Sequence, residues 1–107
     1  MDAPEAKRDL AYWLRGFGPG PPHAAVIGVL YLEEAPDERS SDWLAKRLFG
    51  SGLAHPVDRA GFRALMREVI ERRQRDFLEE DFVLLEGWAV PRTEARLLTL
   101  IALCGAS

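Results

Sequence analysis

The sequence predicts an all-α protein of about five helices in one compact domain, with a short β-hairpin or extended elbow before the last helix. Over most of the chain, apolar residues recur at the three- and four-residue spacing of a helix face. Prolines, glycines and capping residues divide the sequence into segments of helical length. The exception is a β-favouring run with a central glycine at residues 82–90.

The composition is that of one folded domain spanning residues 1–107. Hydrophobic residues make up 48% of the chain, which is enough for a single core. The net charge is −3, so no basic excess indicates a nucleic-acid partner. The only cysteine, Cys104, has no partner for an internal disulfide, and its position on an apolar segment predicts a buried, unreactive thiol.

Two helices are predicted in the first third of the chain. The first one has a continuous apolar face, made of Ala6, Leu10, Trp13, Leu14 and Phe17. Three prolines and two glycines in residues 18–22 end it. Residues 24–32 are apolar on nearly every side and fit either a buried helix or a buried strand, but the length of the run 23–36 favours a helix. Gly28 within it indicates a close helix crossing.

The middle of the chain predicts a short third helix and a long fourth one. Ser40 and Ser41 are candidate caps for the third helix, and Gly50 supplies its end. Asp58 is the predicted N-cap of the fourth helix. The expected apolar stripe of that helix consists of Phe62, Leu65, Met66, Val69, Ile70 and Phe77.

The last quarter of the sequence carries the sharpest local signature. Residues 82–85 and 88–90 favour strands on either side of a turn at Gly87. Thr93 is predicted to cap the last helix, and Glu94 complements the positive end of its dipole. That helix is expected to be buried on most sides by Leu97, Leu98, Leu100, Ile101 and Leu103.

No catalytic, metal or cofactor site is predicted. His23 and His55 have no cysteine or carboxylate at ligand spacing, and a metal site needs three or four converging ligands. A row of arginines on the fourth helix, Arg59, Arg63 and Arg67, is interleaved with carboxylates, so intrahelical pairs are expected rather than phosphate contacts. No apolar run approaches the roughly twenty residues of a membrane span.

The candidate binding residues are Trp88, Arg92, Glu94 and Arg96, with Gly87 and Thr93 in structural roles at the turn and cap. A tryptophan is costly to expose without a purpose. The alternative interpretation is that Trp88 fixes the hairpin onto the last helix, while Arg92 and Arg96 pair with Glu86 or Glu94.

The segment 83–97, with residues 76–77, resembles the C-terminal pattern of small bacterial helical proteins that are commonly exported by the twin-arginine route and have no assigned activity. A fainter likeness covers residues 27–36. The resemblance implies family-level positions at Gly87, Trp88, Thr93, Glu94 and Arg96, and supplies no chemistry. The sequence lacks the twin-arginine leader, so we expect a cytoplasmic protein, exported only if a leader has been removed.

These observations predict a non-enzymatic accessory protein that binds a protein partner, such as a small subunit or assembly partner of a larger enzyme, with a homodimer as another form of association. One alternative is a small-molecule module whose pocket, lined by Trp and Tyr, holds an anion on Arg92 or Arg96. A nucleic-acid binder using Arg63 and Arg67 ranks third.

Overall fold

Five α-helices and a two-stranded antiparallel hairpin make up the protein in a computed structural model that describes residues 4–17, 21–50 and 56–105. In chain order the elements are α1 (Pro4–Phe17), α2 (Pro21–Glu34), a 3₁₀ turn (Pro36–Glu38), α3 (Ser41–Phe49), α4 (Arg59–Glu79), β1 (Phe82–Leu85), β2 (Trp88–Pro91) and α5 (Arg92–Gly105). The predicted fold class, mostly helical with a hairpin before the last helix, is confirmed. The break was predicted at residues 18–22, but Pro21 and Pro22 are the first residues of α2; residues 18–20 and the histidine His55 lie outside the described residues. No helix in the described segments is both long and apolar enough to cross a membrane.

The helix boundaries follow from local capping. The Ser40 hydroxyl accepts a hydrogen bond from the Trp43 amide at 3.1 Å, and Asp58 accepts one from the Gly61 amide at 2.7 Å. Ser40 is therefore the cap of α3, whereas the other candidate, Ser41, is the first residue inside the helix. Gly50 ends α3 with a φ of 55°, as predicted.

The run that fitted either a helix or a strand is the helix α2, and Gly28 is where it approaches α5 most closely. A Cβ atom at this glycine would lie 3.3 Å from the Cβ of Ala102 and 3.4 Å from the Cα of Thr99. The two backbones can be this close because Gly28 has no side chain. The interpretation of Gly28 as a close crossing is confirmed.

The buried side chains form two clusters that share α5. The larger one lies between α1, α3, α4 and α5 and contains Leu10, Leu14, Leu44, Ala45, Leu48, Phe49, Val57, Phe62, Leu65, Val69 and Leu100. The smaller one joins α2, the hairpin and the start of α5 and contains Tyr31, Val83, Leu85, Val90 and Ala95. The hairpin is therefore held by α2 and α5 through its own small core.

The predicted apolar stripe of α4 is only partly right. Phe62, Leu65 and Val69 are buried, but Ile70 and Phe77 are 53% and 48% exposed. Ile70 and Phe77 are seven residues apart and share a face about 100° away from the face of Val69. Seven residues after Val69, on the buried face, the chain has the carboxylate of Asp76 instead.

The hairpin turns tightly at two residues with positive φ, Glu86 at 51° and Gly87 at 87°. These values are those of a type I′ turn, which matches the twist of the flanking strands. The pairing register places Val83 opposite Val90 and Leu85 opposite Trp88.

Candidate functional site

Trp88 lies on the inner face of the hairpin but is left uncovered. Directly opposed residues of an antiparallel pair project to the same face, so Trp88 shares the face of its partner Leu85. Leu85 is 2% exposed and Trp88 is 76% exposed. The alternative interpretation, in which Trp88 fixes the hairpin onto the last helix, is wrong, because buried Val83, Leu85 and Val90 make that contact instead.

Beside Trp88 runs an apolar depression of about 560 Å³ between α2, the hairpin and α5, which we call the hairpin groove. Its walls are Val26, Ile27, Leu30, Leu85, Glu86, Trp88, Ala89, Val90, Glu94 and Leu98. Two carboxylates are the only charged groups among these residues. Glu94 is already paired with Arg73 at 2.8 Å, whereas Glu86 has no ion pair with a described residue.

The predicted binding arginines, Arg92 and Arg96, do not line this groove. Arg96 holds Glu38 through two hydrogen bonds of 3.0 and 3.3 Å, and its guanidinium lies 5.4 Å from the ring centroid of Trp43. Arg92 pairs with Asp81 at 3.0 Å. The pairing of these arginines with Glu86 or Glu94, suggested by the sequence, is therefore wrong.

Tyr31 and Glu38 complete a polar cluster around the two arginines. The fully buried Tyr31 hydroxyl donates to Glu38 at 2.7 Å. Burial raises the pKa of Tyr31, and its hydrogen bond to the Glu38 carboxylate raises that pKa further. Since the cluster ties α2 and the 3₁₀ turn to α5, its role is to hold these elements together.

Asp76 caps the last helix, a role the sequence assigned to Thr93. Thr93 is the second residue of α5, and its amide donates to the Asp76 carboxylate at 2.7 Å. The correction has a simple cause: a carboxylate from a neighbouring helix reaches the first turn of α5. The position of Asp76 on the buried stripe of α4 was the signal in the sequence.

A second depression, the arginine cleft, has a volume of about 170 Å³ and a polar lining. It is formed by Arg47, Leu48, Arg72, Arg75, Asp76, Glu79, Asp81, Thr93 and Arg96. The small-molecule alternative expected a pocket lined by Trp and Tyr with Arg92 or Arg96 in it. Arg96 does line this cleft, but Arg92 and the Trp and Tyr residues are not among its lining residues. Within the described parts of the chain, Arg59, Arg63 and Arg67 do not form the intrahelical pairs predicted for them.

The remaining candidates offer little chemistry. Cys104 is half-buried, and burial raises the pKa of its thiol, which disfavours the reactive thiolate. Residues 4–17, 21–50 and 56–105 contain no group of three His, Cys, Asp or Glu side chains arranged to hold a metal ion.

No protein-family model matches the sequence, and no match is found among curated proteins or solved structures. The resemblance to twin-arginine-exported proteins stays a prediction. Any function assigned to the groove or the cleft therefore rests on their own geometry.

Proposed function

We propose that this protein is a non-enzymatic accessory protein that binds an apolar segment of a partner protein in the hairpin groove. The observation that carries the proposal is the 76% exposure of Trp88 beside that groove. Tryptophan is among the residues that contribute most to binding energy in protein interfaces, and a partner that covers the exposed ring removes its apolar surface from water.

The surroundings of Trp88 support a binding role. Val26, which lines the groove, and Val29, one turn further along α2, are 58% and 60% exposed, so the apolar surface continues onto the helix. Adjacent apolar side chains of this kind are typical of interaction sites. The type I′ turn and the buried Leu85 and Val90 fix the strand that carries Trp88, which lowers the entropy lost on binding.

The charges at the groove favour a partner segment with a basic residue. Glu86 lacks an ion pair with any described residue, and no cation is among the groove-lining side chains. A lysine or arginine that flanks the apolar part of the segment would meet Glu86. Such complementarity contributes to specificity and association rate more than to affinity.

The small-molecule alternative, in which Arg92 or Arg96 holds an anion, has less support. Arg92 is engaged by Asp81 and Arg96 by Glu38, so neither guanidinium is available without breaking an existing ion pair. The nucleic-acid alternative has less support, since the net charge is −3 and the fourth helix interleaves its arginines with carboxylates.

The test is affinity capture of the tagged full chain from its native cells, with two single-residue variants in parallel. Trp88→Ala removes the groove tryptophan, and Leu78→Ala removes another exposed apolar side chain, 84% exposed, that does not line the groove. We expect a stoichiometric partner that is retained by Leu78→Ala and lost by Trp88→Ala. With purified partner, Trp88→Ala should weaken binding by at least about thirtyfold, the size of a hot-spot substitution.

Two results would contradict the proposal. One is a partner that both variants retain equally, which would place the contact elsewhere. The other is recovery of the wild-type protein alone as a monomer. A homodimer that Trp88→Ala dissociates would assign the groove to a second copy of this chain and not to another protein.

A further inference from the structure

The arginine cleft presents cationic groups that the fold leaves without partners. Arg47 of α3 and both Arg72 and Arg75 of α4 line it, and none of the three forms an ion pair or hydrogen bond with a described residue. Guanidinium groups that converge from two helices are suited to gripping an oxyanion, because each offers parallel donors. The cleft shares no lining residue with the hairpin groove.

Two buried polar groups in the same cleft are incompletely satisfied. Thr93 is 7% exposed, and its hydroxyl makes no hydrogen bond to a described residue. Asp76 is 8% exposed; its Oδ2 accepts the Thr93 amide, while its Oδ1 accepts nothing from the described residues. Buried polar groups almost always have partners. A ligand that accepts from arginines and donates to a carboxylate would match both the cationic groups and the free acceptor of this cleft.

We propose that the arginine cleft binds hydrogen phosphate. The charged phosphate oxygens accept from the guanidinium groups, and the P–OH group donates to Asp76 Oδ1. The cleft volume of about 170 Å³ has room for one phosphate ion.

The carboxylates of the cleft do not cancel its positive charge. Asp81 is paired with Arg92, and Arg96 with Glu38, so these four groups balance one another. The unpaired arginines of the cleft outnumber the two remaining carboxylates, Asp76 and Glu79, by one. The buried Asp76 carboxylate makes the cleft selective among anions. It accepts a hydrogen bond from an oxyanion that carries a proton and repels one that has no proton to donate.

This selection separates phosphate from related anions at neutral pH. Inorganic phosphate retains at least one proton at pH 7, whereas sulfate retains none. A phosphate monoester, with its second pKa near about 6, is mostly without a proton at this pH. A free phosphate ion is therefore the ligand that fits, and a phosphate group carried on a larger molecule fits less well.

The experiment is isothermal titration of the full chain at pH 7 and constant ionic strength with inorganic phosphate, sulfate and glycerol phosphate. We expect phosphate to bind at least about tenfold more tightly than the other two, the effect of one hydrogen bond to a charged group. Asp76→Asn retains an acceptor for the Thr93 amide but replaces the second oxygen with a donor. In that variant the preference for phosphate over sulfate should disappear.

Two arginine variants keep the test decisive if Asp76→Asn fails to fold. Arg72→Gln should weaken phosphate binding at least about tenfold, because a charge-assisted contact is lost. Arg63→Gln, an exposed position on the same helix outside the cleft, should leave it unchanged. The proposal is overturned if the wild-type protein does not bind phosphate, if sulfate binds equally well, or if both arginine variants lose binding alike.

Discussion

Glu38 is the residue on which the polar cluster of the fold depends. Its carboxylate accepts from the Tyr31 hydroxyl and from two nitrogens of Arg96, and so joins the 3₁₀ turn to α2 and α5. The side chains of Arg96 and Glu38 are only 14% and 15% exposed. An ion pair this well shielded is costly to break, because one charge is left buried without its partner.

Replacement of Glu38 tests this interaction through pH. Burial by itself raises the pKa of Glu38, but hydrogen bonds from Arg96 and Tyr31 and the nearby arginine charges outweigh it, so the net pKa lies below the ordinary value of 4.5. The contribution of Glu38 to stability is thus complete above pH 4.5 and is lost as the pH falls below that value through the folded-state pKa.

We therefore expect Glu38→Gln to lower the free energy of unfolding by about 2 kcal/mol at neutral pH, in urea titrations. Between about pH 6 and pH 3 the variant should lose less stability than the wild type, since the titrating group has been removed. If the free energy of unfolding depends on pH in the same way in the two proteins, ionisation of the Glu38 carboxylate makes no net contribution to stability, and the prediction is contradicted.

At the scale of elements, the contact of α2 with α5 sets the position of the groove. The crossing at Gly28 brings the two backbones together, and Tyr31, one turn later, is fully buried beside Val83 and Ala95. Because the hairpin rests on this helix pair, the separation of the helices determines how far Val26 and Leu30 stand from the hairpin.

Gly28→Val should separate the two helices. The added side chain meets Ala102 and Thr99 at distances already short for a Cβ atom, so we expect a loss of about 1–3 kcal/mol in thermal or urea unfolding. Ala25→Val is the matched control, because Ala25 is exposed on the same helix and takes the same β-branched residue. Because valine has a higher helix propensity than glycine, propensity alone would make Gly28→Val stabilising, so a variant that loses no stability would contradict the close crossing.

The sequence predicted those elements whose signals are local. The caps Ser40 and Asp58 and the turn glycine Gly87 each act within a few residues of their own position. The structure has each of them in its predicted role. The partners of Arg96 and Thr93 could not be read in the same way. They lie 58 and 17 residues away in the chain, so they depend on how whole helices dock.

At the scale of the whole molecule, the three tryptophans differ in how far the fold covers them. Trp13 donates to the Val57 carbonyl at 2.8 Å and stacks on Phe62, and Trp43 packs under Arg96. Trp88 alone among them is mostly exposed, at 76%. The docking of the hairpin, which the composition does not show, determines which ring is left outside.

The measurement that tests the account most directly compares the unfolding free energies of Trp88→Ala and Leu85→Ala. These residues are cross-strand partners on one face of the hairpin, one exposed and one buried. If Trp88 is presented for a partner, Trp88→Ala should change stability by no more than about 0.5 kcal/mol, while Leu85→Ala should cost about 2–5 kcal/mol. A loss in Trp88→Ala as large as that in Leu85→Ala would mean that Trp88 holds the fold together, and would remove the basis for a docking role.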